Sequence, residues 1–435
     1  MSYRSSVLFF SSLIYIGLGI TLSAIGPLLP SLAQRNGVGL SEIGLVFTGI
    51  FLGAMVAQLV AGEVADRVGR RPVYLFGVIV MVFATIGLIE SRLFALTIAM
   101  AAAWGIGLGA AELAANVLAA ELFPNRSVSS LNLLNVFFGV GSFVGPALVS
   151  LALGWWHAGT PALLIGGALI ATQVPFVARL RDGGSRTSIS TAKAVAGSHD
   201  TPPAELPDST PPPRGRSVYG SPLLWVLGAA LLVYVGAEQM TGGWTAVFME
   251  RTTALALRGA ALVASGFWVA FTLGRAAVAV FGARVAPRAV LTAGVATALA
   301  GALIVNLGAG NTQLSIAGFL LIGLGFGPIY PTTLAIAGRW FAGAAGKAIG
   351  AAGALGSVGG MIFPFLDGVL IGRDGPLAGA RFAVLAIVAV VALLAVARAL
   401  AGRSTGPAFE PIAGPENERR RRVQTLARTP QAPAA

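Results

Sequence analysis

Gly62-Glu63-Val64-Ala65-Asp66-Arg67-Val68-Gly69-Arg70-Arg71 is a short, densely charged stretch between two long apolar runs, 42–63 and 72–90. Its five ionic side chains cannot rest in hydrocarbon, where each costs about 2.5–3.5 kcal/mol at the centre of a spanning helix. The stretch therefore reads as a loop at one face of a membrane, and it fixes the hairpin of helices around it. Working outward, apolar runs long enough to span recur along the chain. They lie near 7–30, 42–63, 72–90, 93–118, 130–153, 160–179, 222–248, 259–281, 288–308, 313–337, 347–371 and 378–400. Runs of roughly 17–25 apolar residues cross a bilayer as helices, and the alternating pattern of a barrel strand is absent.

Composition agrees. Of 435 residues 56% are hydrophobic and 11% charged, with mean hydropathy +0.81, whereas soluble domains carry about 25% charged residues. The chain reads as an all-α integral membrane protein. The first run is too long for a signal-peptide core and ends at Gly26-Pro27-Leu28-Leu29-Pro30 without a small-residue cleavage site, so a mature helix is expected. The net charge of +12 is not a nucleic-acid footprint, because its distribution follows membrane topology. With the N-terminus inside, 22 of the 29 Lys and Arg fall on the inner side and 6 on the outer, while Arg275 stays within the membrane. That is the positive-inside pattern. It predicts a multi-pass protein of the cell membrane with both termini cytoplasmic, and a basic tail, including Arg419–Arg422, within reach of anionic lipid. With no cysteine, disulfides and thiolate metal sites are excluded.

Between Arg181 and Ser221 the composition turns to Pro, Ser, Thr and Gly, with runs such as Thr201-Pro202-Pro203 and Pro211-Pro212-Pro213. Such a stretch buries no core and reads as a flexible cytoplasmic linker. The expected organisation is a six-helix bundle over 1–180, the linker over 181–220, a second bundle over 221–402 and a disordered basic tail over 403–435. Internal duplication supports it. Ile106-Gly107-Leu108-Gly109 recurs as Ile322-Gly323-Leu324-Gly325, an offset of 216, and Gly141 and Pro146 match Gly359 and Pro364 at 218. Those two offsets place a two-residue length change in the intervening loop.

Polar residues on spanning helices cost energy unless they face a cavity or a partner. Gly105, Gly109, Glu112 and Asn116 form one stripe on the fourth span, Asn132, Asn135, Gly139 and Ser142 one on the fifth, and Tyr234, Glu238, Thr241 and Thr245 one on the seventh. The glycines are first of all packing residues. Glu112 and Glu238 are the candidate proton carriers, since a carboxyl that binds a proton in one conformation and releases it in another couples a gradient to movement. Arg275, roughly 13 Å inside the inner face by helical rise, is the third charged member; pairing of Glu238 with Arg275, or of Glu112 with Asn116, as structural glue is the plainer alternative. Asn116, Asn132, Asn135, Tyr234, Gln239 and Trp244 suit a hydroxyl-rich ligand, amides bonding hydroxyls while an indole covers a ring. Tyr330, Gln58, Gln173 and Asn306 are weaker candidates, and Pro328 and Pro331 are expected to kink the tenth span. Asp367 reads as interfacial. His157 and His199 lack companions of metal-ligand type, so neither metal nor cofactor is expected.

The quoted stretch resembles the signature loop of the major facilitator superfamily, G-x-x-x-D-R-x-G-R-R between the second and third helices. The resemblance implies a twelve-helix major facilitator fold of two pseudo-symmetric six-helix bundles. It also implies that Gly62, Asp66, Arg67, Gly69, Arg70 and Arg71 form a conformational latch, Asp66 capping the inner end of the eleventh span near Gly346 and Lys347. Four further segments are similar to the fucose/glucose–proton symporter branch: Gly107–Asn116, which places a proton-coupling role on Glu112; Leu131–Gly141, with Asn135 where histidine is common; Tyr234–Glu238 with Trp244; and Gly274-Arg275. There are departures. The first span holds no acid, so coupling there is not expected, and the second-half loop Gly282–Arg288 lacks the signature aspartate.

The leading expectation is a monomeric secondary transporter moving a sugar or polyol with protons by alternating access, its partners being the small solute, protons and membrane lipids. The alternative is a drug–proton antiporter, favoured by Gly141-Ser142-Phe143-Val144-Gly145-Pro146 and disfavoured by Ala101, where drug antiporters tend to carry arginine. A receptor or scaffold would need no acids on cavity stripes. An enzyme is least expected, there being no nucleophile–base pair, metal cluster or phosphate loop.

Overall fold

The computed structural model describes residues 3–122, 127–180, 218–281, 285–341 and 345–402, and among them there is no strand. Twelve membrane-type helices follow in order. The first six are α1 (Tyr3–Asn36), α2 (Leu45–Val68, entered through the turn Leu40–Ile43), α3 (Arg70–Glu90), α4 (Phe94–Leu122), α5 (Ser127–Trp156) and α6 (Pro161–Ala171, ending in the turn Val174–Val177). The second six are α7 (Pro222–Thr252), α8 (Leu257–Phe281), α9 (Pro287–Leu307), α10 (Thr312–Phe326, continued as Ile329–Trp340), α11 (Ala345–Asp374) and α12 (Pro376–Gly402). Eleven are long and apolar enough to cross a bilayer, and α6 with its final turn is the shorter twelfth. In hydrocarbon the backbone must satisfy itself within each segment, so continuous apolar runs become helices rather than open strands.

The quoted stretch is not a loop. Helix α2 runs on through Val68, and the whole reversal into α3 is made by Gly69 alone, at φ 95° and ψ 165°. No side chain with a Cβ adopts that conformation cheaply. The α11–α12 reversal repeats the device at Gly375, φ 84°.

Each half pairs its helices the same way: α1 with α5, α2 and α3 with α4, then α7 with α11, α8 and α9 with α10. Glycines set the closeness of these pairs. A Cβ on Gly105 or Gly109 would strike the carbonyl of Ile50 or Ala54, and one on Gly323 or Gly327 that of Phe267 or Phe271. Gly107 meets Gly77 as Gly325 meets Gly294, and Gly141 meets Ile16 as Gly359 meets Leu232. The structural register of α4 on α10 is therefore 218, the same as α5 on α11, and the 216 match of Ile106–Gly109 is two residues out of register. Partner carbonyls give 216 for α1 on α7 and 217 for α2 on α8. One residue is thus gained between the first and second helices and one between the third and fourth. A Gly-x-Gly repeat inside a helix matches itself at a shift of two, which is why the sequence alignment slipped.

The halves meet along three seams, α1 with α7, α2 with α11 and α5 with α8. Near the 37–39 turn they are shut. Gly26 abuts the Gly243 backbone, Ser41 abuts Gly372, and Thr48 Oγ1 donates to the Met361 carbonyl at 2.9 Å. Toward Gly69 the polar side chains of Gln58 and Asn135 are exposed, and no contact of the kind seen at the 37–39 turn joins the halves among the described residues there.

Candidate functional site

In the first half, Glu112 on α4 is half-buried and accepts a hydrogen bond from Gln58 Nε2 on α2 at 3.3 Å. One turn along, Asn116 Oδ1 accepts from the buried Tyr15 hydroxyl of α1 at 2.9 Å. Asn116 is thus held by Tyr15 and Glu112 by Gln58, and no Glu112–Asn116 bond forms.

In the second half the site is built on a break in α10. Proline has no N–H, so Pro328 and Pro331 deprive the Leu324 and Gly327 carbonyls of their i+4 donors, and the helix is interrupted between Phe326 and Ile329. Neighbouring helices bond two carbonyls at the break, that of Gly327 among them. Tyr234 on α7 donates its hydroxyl to Phe326 O at 2.7 Å, and Arg275 on α8 donates Nε to Gly327 O at 3.2 Å. The guanidinium lies 4.4 Å from the centroid of the Phe271 ring, a cation–π contact. Glu238, one turn from Tyr234, is buried and accepts from Gln239 Nε2 at 3.2 Å. It lies within electrostatic reach of Arg275, but no hydrogen bond or close ion pair joins the two, so the guanidinium remains committed to the α10 break.

Tyr330 is where the halves converge. Its ring centroid is 6.5 Å from that of Tyr234, and it lies within electrostatic reach of Glu112, Arg275 and Glu238. The glycine register explains the convergence. Shifted by 218, Glu112 falls on Tyr330; shifted by 217, Gln58 falls on Arg275. The pair Gln58–Glu112 and the pair Arg275–Tyr330 thus occupy equivalent places in the two bundles.

Beside this cluster a small cleft opens between the bundles, lined by Ser23, Phe47, Phe138, Ser142, Gln239 and Trp268, together with Leu22, Gly242 and Gly243. Three aromatic rings, two hydroxyls and one amide face it, and none of its lining side chains is charged. Its lining carries stacking surface and hydrogen-bonding groups, but at about 20 Å³ the cleft holds no more than a water or two in this state, so a solute needs the bundles to part.

Other residues singled out in the sequence lie elsewhere. Trp244, expected to cover a ligand ring, is buried in the seam: its Nε1 donates to Pro364 O at 2.9 Å, and its ring packs beside Gly44 and Gly368. The large flat indole is taken because two glycines leave a slot of its shape. Thr241 and Thr245 turn away from the cleft, and Asp367, expected at the interface, is 4% exposed inside the second bundle. Asn135 is exposed on α5. The side chains of Asn132, Gly62 and Asp66, and those of Gly346 and Lys347, lie outside the described residues, as do 181–217 and 403–435. Arg67 and Arg71 are exposed and Arg70 half-buried. Sequence reasoning missed Tyr15, Ser23, Phe47, Phe138 and Trp268. Tyr15 alone carried a signal, as a phenol in the middle of an apolar span.

Two six-helix repeats about a shared seam, with acids withdrawn from lipid onto that seam, define a duplicated helical bundle of the transporter class. The chain belongs to the Major Facilitator Superfamily, whose family model matches residues 11–256; this is a family of transporters rather than enzymes. Among curated relatives, the MFS-type transporter SLC18B1 of Rattus norvegicus is 28% identical over 167 residues, 37% of this chain and 36% of that protein. The match thus spans about a third of that relative's length. The gallate transporter of Pseudomonas putida is 27% identical over 378 residues, 79% of this chain and 82% of that protein. Among solved structures, the nucleoside transporter NupG superposes with a TM-score of 0.71 at 14% identity, covering 92% of this chain and all of that one. The fucose:proton symporter FucP of E. coli gives 0.60 at 17%, covering 92% and 99%. These structural likenesses establish the fold.

Proposed function

We propose that the protein is a secondary transporter of the cell membrane that moves a small hydroxylated solute, a sugar or polyol, together with protons by alternating access. The observation that carries the reading is the convergence at Tyr330 of two acids from opposite bundles. A fixed charge there would be costly unless the site is wetted or protonated in turn. Glu112, half-buried and held only by an amide, is the group best placed to exchange a proton with the Gly69 side. Glu238, in the field of Arg275, is the second acid at the convergence. Rocking of the bundles about the cleft would carry both from one face to the other. With the Gly69 side cytoplasmic, as the positive-inside pattern implies, the shut seam is the outer one and the structure is inward-facing. A single chain contains the whole site, so a monomer suffices.

A second reading is favoured by the gallate transporter, similar over four-fifths of this chain. A hydroxylated aromatic acid would meet the same aromatic lining once the bundles part, its hydroxyls placed to bond Gln239, Ser23 and Ser142. Uptake into proteoliposomes under an imposed pH gradient separates the two, with hexoses, pentoses, hydroxybenzoates and cationic drugs offered in turn. Gradient-driven accumulation of a neutral sugar supports the leading reading. Accumulation of hydroxybenzoates alone supports the second, and drug movement against the gradient contradicts both.

A further inference from the structure

The second bundle holds a buried acid that the central site does not use. Asp367 on α11 lies about 10 Å from the α11–α12 turn by helical rise. Its side chain enters a partly open, almost wholly apolar pocket among α7, α9, α10, α11 and α12, walled by Phe248, Val305, Phe319 and Ile322. Its Oδ1 is buried with no hydrogen-bond partner. The pocket holds one more orphan, the Thr241 hydroxyl, whereas Thr245 is satisfied by the Thr241 carbonyl at 2.6 Å. The space for the carboxyl is made by Gly379 on α12, where a Cβ would sit 2.5 Å from Asp367 Oδ1.

No other titratable side chain lines this pocket. The charged residues of the surrounding helices lie elsewhere. On α7, Glu238 faces Tyr234 and Arg275, while Glu250 and Arg251 stand at the helix end; Arg288 on α9 is exposed, and Arg339 on α10 is at the opposite end of its helix from the pocket. On α11 and α12, Arg373, Asp374 and Arg381 are exposed. An ionised carboxylate with no cation and no donor cannot persist in an apolar pocket, whereas a neutral carboxyl needs only one acceptor for its proton. The Thr241 hydroxyl shares the pocket without bonding the carboxyl, so a single water between them would satisfy both groups.

We infer that the Asp367 pocket is a second proton-binding site, off the axis between the bundles and separate from Glu112 and Glu238. The acid is neutral while the pocket is dry. To ionise, it releases its proton through entering water to bulk solvent, and a neutral water left in the pocket donates to the carboxylate and bonds Thr241. The α7 wall of the pocket, Thr241 to Thr245, includes Trp244, which seals the seam against Pro364. Wetting the pocket loosens that seal from behind, so the site adds a pH response to closure of the bundles.

The test is infrared difference spectroscopy of the full chain in liposomes, titrated from acid to alkaline pH, reading the carbonyl stretch of protonated carboxyl groups. It needs no transport substrate, so its failure is distinct from failure of the transport reading. The expected result is a neutral-carboxyl band near neutral pH that survives in Glu112→Gln/Glu238→Gln and disappears in Asp367→Asn, whose amide keeps the shape. Gly379→Ala, which crowds the same oxygen, should displace the band. A spectrum unchanged by Asp367→Asn overturns the proposal. So does a sodium-dependent change in tryptophan fluorescence that Asp367→Asn abolishes, since the pocket would then be a cation site.

Discussion

Tyr15 and Gln58 show how the polar stripe of α4 is positioned, Tyr15 holding Asn116 and Gln58 holding Glu112. Each gives a single hydrogen bond from a helix other than α4, and each belongs to a helix packed on α4 by glycine contact or along its flank. Removing the Tyr15 hydroxyl leaves Asn116 with an unsatisfied oxygen. Tyr15→Phe should therefore cost on the order of 1 kcal/mol, seen as a lowered Tm in detergent. The acids themselves should separate binding from coupling. Glu112→Gln keeps an acceptor for Gln58 but holds no exchangeable proton. The expected outcome is loss of pH-gradient-driven accumulation with retention of substrate counterflow, measured side by side in proteoliposomes. At this scale the sequence was most legible where a charge stood in an apolar run, as with Glu112, Glu238 and Arg275. It was least legible where the informative residue was an ordinary aromatic, as with Phe47, Phe138 and Trp268, because nothing in their spacing separates a cleft wall from a lipid face.

Helix α10 shows what a pair of prolines does at the level of an element. The kink was readable from Pro328 and Pro331. The use made of it was not, since periodicity gives faces and not the neighbours that face them. Tyr234 and Arg275 take carbonyls that an unbroken helix would have kept to itself. Restoring both donors with Pro328→Ala/Pro331→Ala should let the helix close. The expected result is a raised Tm with reduced transport, because the two side chains lose their anchors. The α2–α3 hairpin gives the opposite lesson. Its charge placed it at a membrane face, yet the expected loop is helix up to a single glycine. A Cβ at Gly69 is strained by about 1–3 kcal/mol, so Gly69→Val should lower the Tm where Val68→Ala, at an exposed neighbour, leaves it nearly unchanged.

Over the whole molecule, duplication is the feature that organises the site. It was visible as repeated Gly and Pro, but in a register two residues off over α4 and α10. In that register Glu112 had no meaningful counterpart. In the structural one it meets Tyr330, and Gln58 meets Arg275, so one half carries the acid and the other a phenol with a fixed cation. The same pseudo-symmetry gives the bundles surfaces that close at one end, with no such contact among the described residues at the other. The chain has no cysteine of its own, which permits a direct test of that motion. A Cβ on Gly372 would lie 3.3 Å from the Ser41 Cβ, close to the spacing of a disulfide. The decisive measurement is solute uptake by Ser41→Cys/Gly372→Cys in proteoliposomes before and after oxidation. The account predicts that the bond forms, arrests uptake and releases it again on reduction. Undiminished uptake with the bond formed would contradict it, because solute would then be crossing without the bundles parting at that end.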